Sequence, residues 1–507
     1  MSRPRRMPRL VLALMLAGCL SAASLAENIE RLIASSPAAR TAFWGIRMVD
    51  LASGKTLYEA NPDHFFVPAS NTKLFTTAMA LTRLGPDFTF RTRVVADGPP
   101  DAEGRIHGDL RLVGGGDPNL SARAVPYRIG PATGNATGNP LAAIEDLADQ
   151  VAARGVKRIE GDVVGDDTWY VWEPYAVGWS IDDPRSDDGP AISALTLNDN
   201  TLTLNIRPGV AVGDPAVLAL NPPVEYYLLE NRVRTVAAEG DRRVRMERIP
   251  GSRDVRLWGT LPLRDRGQEM LLGIEDPALY AAAALRQALE ERGIAVAGSV
   301  RTRHLYPDQA TEPAPAPAED PGLELASRTS APLLEDLRIT DKVSQNLHAE
   351  LALRAVGRAR RGIGSFDAAR EEEKAFLAEA GIETGAYNLL DGSGLSRLNL
   401  VTPAAVVKLL RYMYDSPARD NWISLLPVGG QDGTLATRFG DGAAAGHIHA
   451  KTGSLSHVSA LSGYAEKPGG QWVAFSILVN NYNGSAAEVR GVMDGICSLI
   501  MEQGLRP

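Results

Sequence analysis

The sequence predicts an α/β domain split by a β-rich insert of roughly 230 residues, an insert within the size range of one or two domains. Three observations carry that prediction. A chain of 507 residues exceeds one ordinary domain. Its two ends mix helix-like and strand-like segments. Between them, from about Phe88 to about Pro321, short alternating runs ("FTFRTRVVADG", "HGDLRLVGGG", "GDVVGDD", "TLTLNIRPG", "DVRLWGTLPL") are separated by Gly, Pro and Asp-rich turns. The boundaries read from these textures are 1–26 for an export signal, 27–87 with 322–507 for the α/β domain, and 88–321 for the insert, divided into two subdomains.

The N-terminus reads as a secretory signal. Arg3, Arg5, Arg6 and Arg9 precede the apolar run "LVLALMLAGCL", and "SLA" places small residues just before Glu27. "LAGC" also matches a lipoprotein cleavage site, which would leave Cys19 as a lipidated N-terminus and the only link to a membrane. The ordinary site after Ala26 is favoured, which makes the product soluble. Both sites imply export. Cys19 and Cys497 are the only cysteines, so the mature chain has no internal disulfide.

After the signal, "FWGIRMVDL" and "TLYEA" flank the turn "ASGK" and predict a hairpin. "SNTKLFTTAMALTRLG" follows as a helix, with an apolar stripe and a Gly85-Pro86 stop. The insert carries two helical stretches, "NPLAAIEDLADQVAARG" and "PALYAAAALRQALEERG", and ends in the Pro/Ala-rich "YPDQATEPAPAPAEDPG". Then "APLLEDLRITDKVSQNLHAELALRAVGRA", "SFDAAREEEKAFLAEAG" and "TPAAVVKLLRYMYD" predict amphipathic helices. "HIHAKTGSLSHVSALSGYA" and "QWVAFSILVNNY" predict strands, and "AAEVRGVMDGICSLIMEQG" a final helix.

Composition narrows the function. A net charge of −8 and a pI near 5.6 argue against a general nucleic-acid binder. The seven histidines are scattered, and "HIH" at 447–449 reads as strand surface, so no metal or other cofactor is expected. Within this background, Ser70 and Lys73 stand one helical turn apart at a helix start. A serine hydroxyl needs a base to become a nucleophile, and a lysine serves when burial or neighbouring charge lowers its pKa. In a chain with eight lysines, one Ser-x-x-Lys arises by chance at about even odds. Two further elements give it meaning. "SQN" places Ser344 and Asn346 at the start of a helical stretch, and "KTG" places Lys451, Thr452 and Gly453 on a strand. The glycine allows a close backbone approach. Lys451 and Thr452 suit a carboxylate, and the N–H of Ser454 with that of Ser70 suits an oxyanion.

In this order and these contexts, the three elements are the signature of the penicillin-binding proteins and serine β-lactamases. The gap of about 270 residues between Ser70 and Ser344, filled by the insert, resembles the D-alanyl-D-alanine carboxypeptidase/endopeptidase family typified by penicillin-binding protein 4. "GPDFTFRT", "GDLRLVGGGDPNL", "DGSGLSRLNLVTP" and "LLPVGGQDGTLATR" resemble it too. The resemblance implies a transpeptidase-like α/β (α+β) domain in the periplasm, acting on peptidoglycan stem peptides and acylated by β-lactams. It implies Ser70 as nucleophile, Lys73 as its base, Ser344 as proton relay, and Asn346 as a ligand of the substrate amide. Lys451 and Thr452 would hold the terminal carboxylate. Arg397 is a further candidate for a substrate carboxylate, and Asp183, within "DDPRSDD", for a substrate ammonium. A β-lactamase and a catalytically idle cell-wall sensor are the competing readings. The oligomeric state, homodimer included, is open.

Overall fold

The computed structural model describes residues 24–130, 138–249, 251–310 and 322–502. The arginine-rich start, the apolar run and Cys19 lie outside these residues, as does most of the Pro/Ala-rich loop. Ser24 caps the first helix, Leu25–Ser35, in a reciprocal pair with Glu27. A cut after Ala26 would fall inside that helix's first turn.

The first sheet has five antiparallel strands in the order Ile448–Leu455, Val458–Lys467, Gln471–Asn480, Phe43–Asp50, Thr56–Ala60. The last two form the expected hairpin. Val458–Lys467 and Gln471–Asn480 are buried almost throughout, because helices cover both faces. The first helix and Ala486–Glu502 pack on one face, in a core that includes Ile29, Phe475 and Ile496. On the other face lie Pro403–Tyr414 and a helical layer built around Thr72–Leu84. That helix differs from the amphipathic expectation. Every residue from Thr72 to Leu81 is buried, because neighbours surround it. Its polar groups are satisfied internally, with Thr76 donating to the Gly392 carbonyl at 2.7 Å and Thr77 to that of Lys73 at 2.7 Å.

A second five-stranded sheet has the order Val300–Leu305, Val163–Val171, Leu110–Val113, Arg91–Ala96, Leu323–Thr329. Its first three strands run parallel. Helices Ala142–Ala153 and Pro277–Glu291 pack against it. The closing strand, Leu323–Thr329, pairs antiparallel with Arg91–Ala96, so chain beyond 321 still contributes to this sheet. Residues 201–273 supply two three-stranded sheets, one ordered Gln268–Gly273, Thr201–Arg207, Val217–Asn221, the other Leu228–Val236, Asp254–Pro262, Arg243–Arg248.

One difference from the sequence reading bears on the site. The stretch read as one helical run, from Leu333 to Arg361, is two helices, Leu333–Lys342 and Asn346–Arg361. The break falls at Val343–Gln345, where Ser344 has φ +65°. A non-glycine residue in that region is uncommon and marks a constrained turn.

Candidate active site

Three chain segments, far apart in sequence, converge at Ser70. The first is the turn Ala69–Asn71 at the head of the Thr72–Leu84 helix, entered through Ala69 at φ +48°. Asn480 clamps the chain just before it, accepting from the Val67 N–H at 2.8 Å and donating to its carbonyl at 3.1 Å. Asn71 donates to the Lys451 carbonyl at 2.9 Å. The nucleophile turn is thereby fixed to two strands of the sheet.

Lys73 is fully buried. Its Nζ lies 3.1 Å from Ser70 Oγ, 2.6 Å from Asn346 Oδ1 and 2.7 Å from the Ser393 carbonyl. Burial pushes its pKa well below the ordinary lysine value, and the nearby charge of Lys451 pushes it further. The carboxylates of Asp391, Asp341 and Glu350 act the other way.

The second segment is the Ser344 turn. Ser344 Oγ accepts from Lys451 Nζ at 2.8 Å. Asn346, one residue into its helix, accepts from Lys73 and donates through Nδ2 to the Asp188 carbonyl at 2.7 Å. Gln345 caps the helix, accepting from the Leu347 N–H at 2.9 Å, and donates to Asp199 at 3.2 Å.

The third segment is the strand Ile448–Leu455. Lys451 is fully buried, and burial lowers its pKa against the opposing charge of Asp341. Thr452 donates to Thr434 at 2.8 Å. The loop around Thr434 is held in turn by the buried pair Lys342–Asp432, at 2.6 Å. Gly453 has a reason the sequence reading did not foresee. A Cβ there would stand 2.8 Å from the Pro68 carbonyl oxygen and 3.0 Å from the Ser70 nitrogen, so its bareness admits the nucleophile turn itself. Residues 427–429 cover the strand's outer edge as far as Ala450, whose N–H donates to the Pro427 carbonyl at 3.0 Å. The alternation of a strand turns the N–H groups of Thr452 and Ser454 to that same edge.

Several residues missed at the sequence level hold these parts in place. Asp391 organises the loop 391–399, accepting from Gly394 N–H at 2.8 Å, Ser396 N–H at 2.7 Å, Asn399 Nδ2 at 2.5 Å and, from the insert, Trp179 Nε1 at 2.9 Å. Glu350, pushed up to about 7 by burial and by the charge of Asp391, accepts from the Gly392 and Ser393 N–H groups at 2.8 and 2.9 Å. Together they present the Ser393 carbonyl to Lys73. Asp341 lies buried beneath the two lysines, with one oxygen bonded to Thr77 at 3.0 Å. Asp341 and Glu350 stand on either side of the Ser344 motif, in "ITDKVSQNLHAEL".

Arg397 and Asp183 lie apart from this core. Arg397 is exposed and donates to the Ser456 carbonyl at 3.2 Å. Asp183, partly buried, accepts from the Ser180 N–H at 2.7 Å. Its carboxyl is raised by desolvation, and Arg397 is close enough to oppose that shift electrostatically. Of the "HIH" histidines, His449 is on the strand and His447 precedes it. Among the described residues, no group of three or more His, Cys, Asp or Glu side chains could hold a metal ion.

The D-Ala-D-Ala carboxypeptidase 3 (S13) family model matches residues 25–502. The chain belongs to that family. It is a serine hydrolase of peptidoglycan peptides. A D-alanyl-D-alanine carboxypeptidase of Actinomadura sp. is 36% identical, the alignment covering 91% of this chain and 82% of the relative. The carboxypeptidase DacB of Haemophilus influenzae is 25% identical over 86% and 84%. The crystal structure of penicillin-binding protein 4 from H. influenzae shares the fold, with a TM-score of 0.76 at 24% identity over 93% of this chain and 98% of that one.

For this family member, Gly453 offers a direct test of the packing described above. Gly453→Ala must move the Ser70 turn, and a displacement near 1 Å can cost about 10²-fold in rate. The acylation rate with a chromogenic β-lactam should fall by that order while the circular dichroism spectrum is retained.

Proposed function

We propose that Ser70 is acylated by peptides ending in D-alanyl-D-alanine, or by D-alanyl-diaminopimelate cross-links, and that water then releases the peptide. One observation carries this reading: a fully buried lysine with a depressed pKa sits 3.1 Å from the serine hydroxyl. Lys73 takes the Ser70 proton as Oγ attacks the carbonyl carbon. The Ser70 and Ser454 N–H groups receive the oxyanion. Lys451 and Thr452 hold the carboxylate next to the scissile bond. Ser344, bonded to Lys451, hands a proton to the leaving amine as the C–N bond breaks. Asn346 binds the substrate amide and keeps Lys73 aimed at Ser70.

Arg397 and Asp183, near enough to interact electrostatically, suit the carboxylate and ammonium of a diamino-acid side chain. Residues 27–87 and 330–507 serve as the catalytic unit, and the chain between, whose sheet the strand Leu323–Thr329 closes, as an insert that restricts access. The protein works in the periplasm after removal of residues 1–26, while cleavage before Cys19 would tether it. No helix among the described residues is long and apolar enough to cross a membrane. Nothing in the reaction calls for a metal or cofactor, and a homodimer is to be tested by sedimentation.

The deciding experiment is intact mass after incubation with a β-lactam. The mature protein should carry one stable adduct and Ser70→Ala none. Destroyed drug without an adduct would make the protein a β-lactamase. Intact drug and no adduct would leave it a binding protein.

A further inference from the structure

We propose that a groove running outward from Ser344 and Asn346 over the insert binds the second stem peptide of a cross-link, on the leaving-group side of the scissile bond. This rests on the D,D-peptidase reading above. Direction along the strand Ile448–Leu455 assigns the side. Lys451, near its start, bonds Ser344. Gly453 packs on the Ser70 turn. Ser456, just past its end, bonds Arg397. The acyl portion, with its diamino-acid side chain toward Arg397 and Asp183, therefore lies at one end. The departing amine lies at the other, beside Ser344.

At that end the cavity measures about 630 Å³. This is the size of a site for a whole small ligand rather than for one alanine. Ser344 and Asn346 form its inner end. Its outer wall is a cross-strand row, Leu271–Thr203–Asn221, in register on three adjacent strands. Two strand spacings make that row about 10 Å wide. A second cavity of about 510 Å³ shares Thr203 and Leu271 and continues past Ser186 and Glu269. Through that shared wall the two cavities extend from Ser344 toward the insert's surface.

The chemistry fits the same occupant. The diamino acid of a cross-link carries a carboxylate beside the scissile amide, as terminal D-alanine does, so Thr452 and Lys451 receive either. Only the cross-link continues beyond it. Asp187 and Asp188 line the groove, while Arg123 is neutralised by its pair with Asp199. The groove is thus net anionic, complementary to the amine that cleavage frees. Asn346 Nδ2 bonds the Asp188 carbonyl and ties the groove to the catalytic asparagine.

The test uses two filling variants of the full-length mature enzyme, Thr203→Trp and Leu271→Trp. Both sites are partly exposed strand positions, where an aromatic side chain is tolerated. Three rates are compared with wild type: D-alanine release from a monomeric pentapeptide, opening of a purified D,D-cross-linked dimer, and β-lactam acylation. The dimer kcat/KM should fall about tenfold or more while the other two rates change less than about twofold. Parallel loss of monomer and dimer activity, or no loss of either, would overturn the proposal. So would a wild-type enzyme that is acylated and trims the monomer but never opens the dimer. A wild-type enzyme that is never acylated would instead sink the D,D-peptidase reading beneath it.

Discussion

Lys73→Met is expected to slow acylation of Ser70 by about 10²–10⁴-fold, the usual contribution of a positioned general base. Methionine fills nearly the same volume, so loss of the base is separated from loss of packing. The pH profile gives the signature. In wild type the acylation rate should rise with pH as Lys73 sheds its proton, well below the ordinary lysine value, because burial and Lys451 disfavour its charge. It should fall again as Lys451, lowered to about 8, loses the charge that receives the substrate carboxylate. The variant should keep the falling limb and lose the rising one. A rising limb that survives in Lys73→Met would assign the base elsewhere.

The largest effect on stability is expected from His348→Ala. His348 is fully buried, two residues past Asn346, between Asp336 at 2.7 Å and Asp199 at 3.1 Å. Arg123 pairs with the same Asp199, and Asp117 lies near enough to interact. Removing one member of a buried charged set costs about 3–5 kcal/mol, because its partners stay behind uncompensated. The two carboxylates raise the imidazole pKa to about 9 against the burial that lowers it. Raised above the unfolded value, it contributes stability that is complete below about pH 6.5 and lost as pH climbs through 9. Urea denaturation should therefore show a wide gap between wild type and variant in mild acid, narrowing in alkali. A gap independent of pH would mean that His348 is buried neutral.

Much of this was legible before any coordinates. The three motif elements, the hairpin, the two insert helices and the final strands lie where pattern and turn chemistry put them. What was hidden is tertiary in origin. The Leu333–Arg361 run keeps helical periodicity straight through Ser344, whereas in the structure it breaks there, where the Ser344 hydroxyl meets Lys451 of the sheet. The Thr72–Leu84 helix looked amphipathic because threonines and a lysine interrupt its apolar residues, yet each of those polar groups has a buried partner. Asp341, Glu350, Asp391 and His348 drew no attention as sequence, since a single chain does not reveal which charges a fold encloses. Gly453 was assigned to substrate approach, and its nearest neighbour proved to be the nucleophile turn.

The sheet order has a consequence for biogenesis. Strand Phe43–Asp50, made early, has only its hairpin mate on one side until Gln471–Asn480 is synthesised, more than 400 residues later. Ser70 and Lys73 likewise emerge long before Asn346, Ser344 and Lys451. Such long-range pairing folds slowly and leaves an edge open to aggregation meanwhile. The same ordering is a safeguard. A nascent or truncated chain holds a nucleophile without its relay or its carboxylate clamp, so hydrolytic power arises only once the chain has been made through Lys451 and the strands that pair with it.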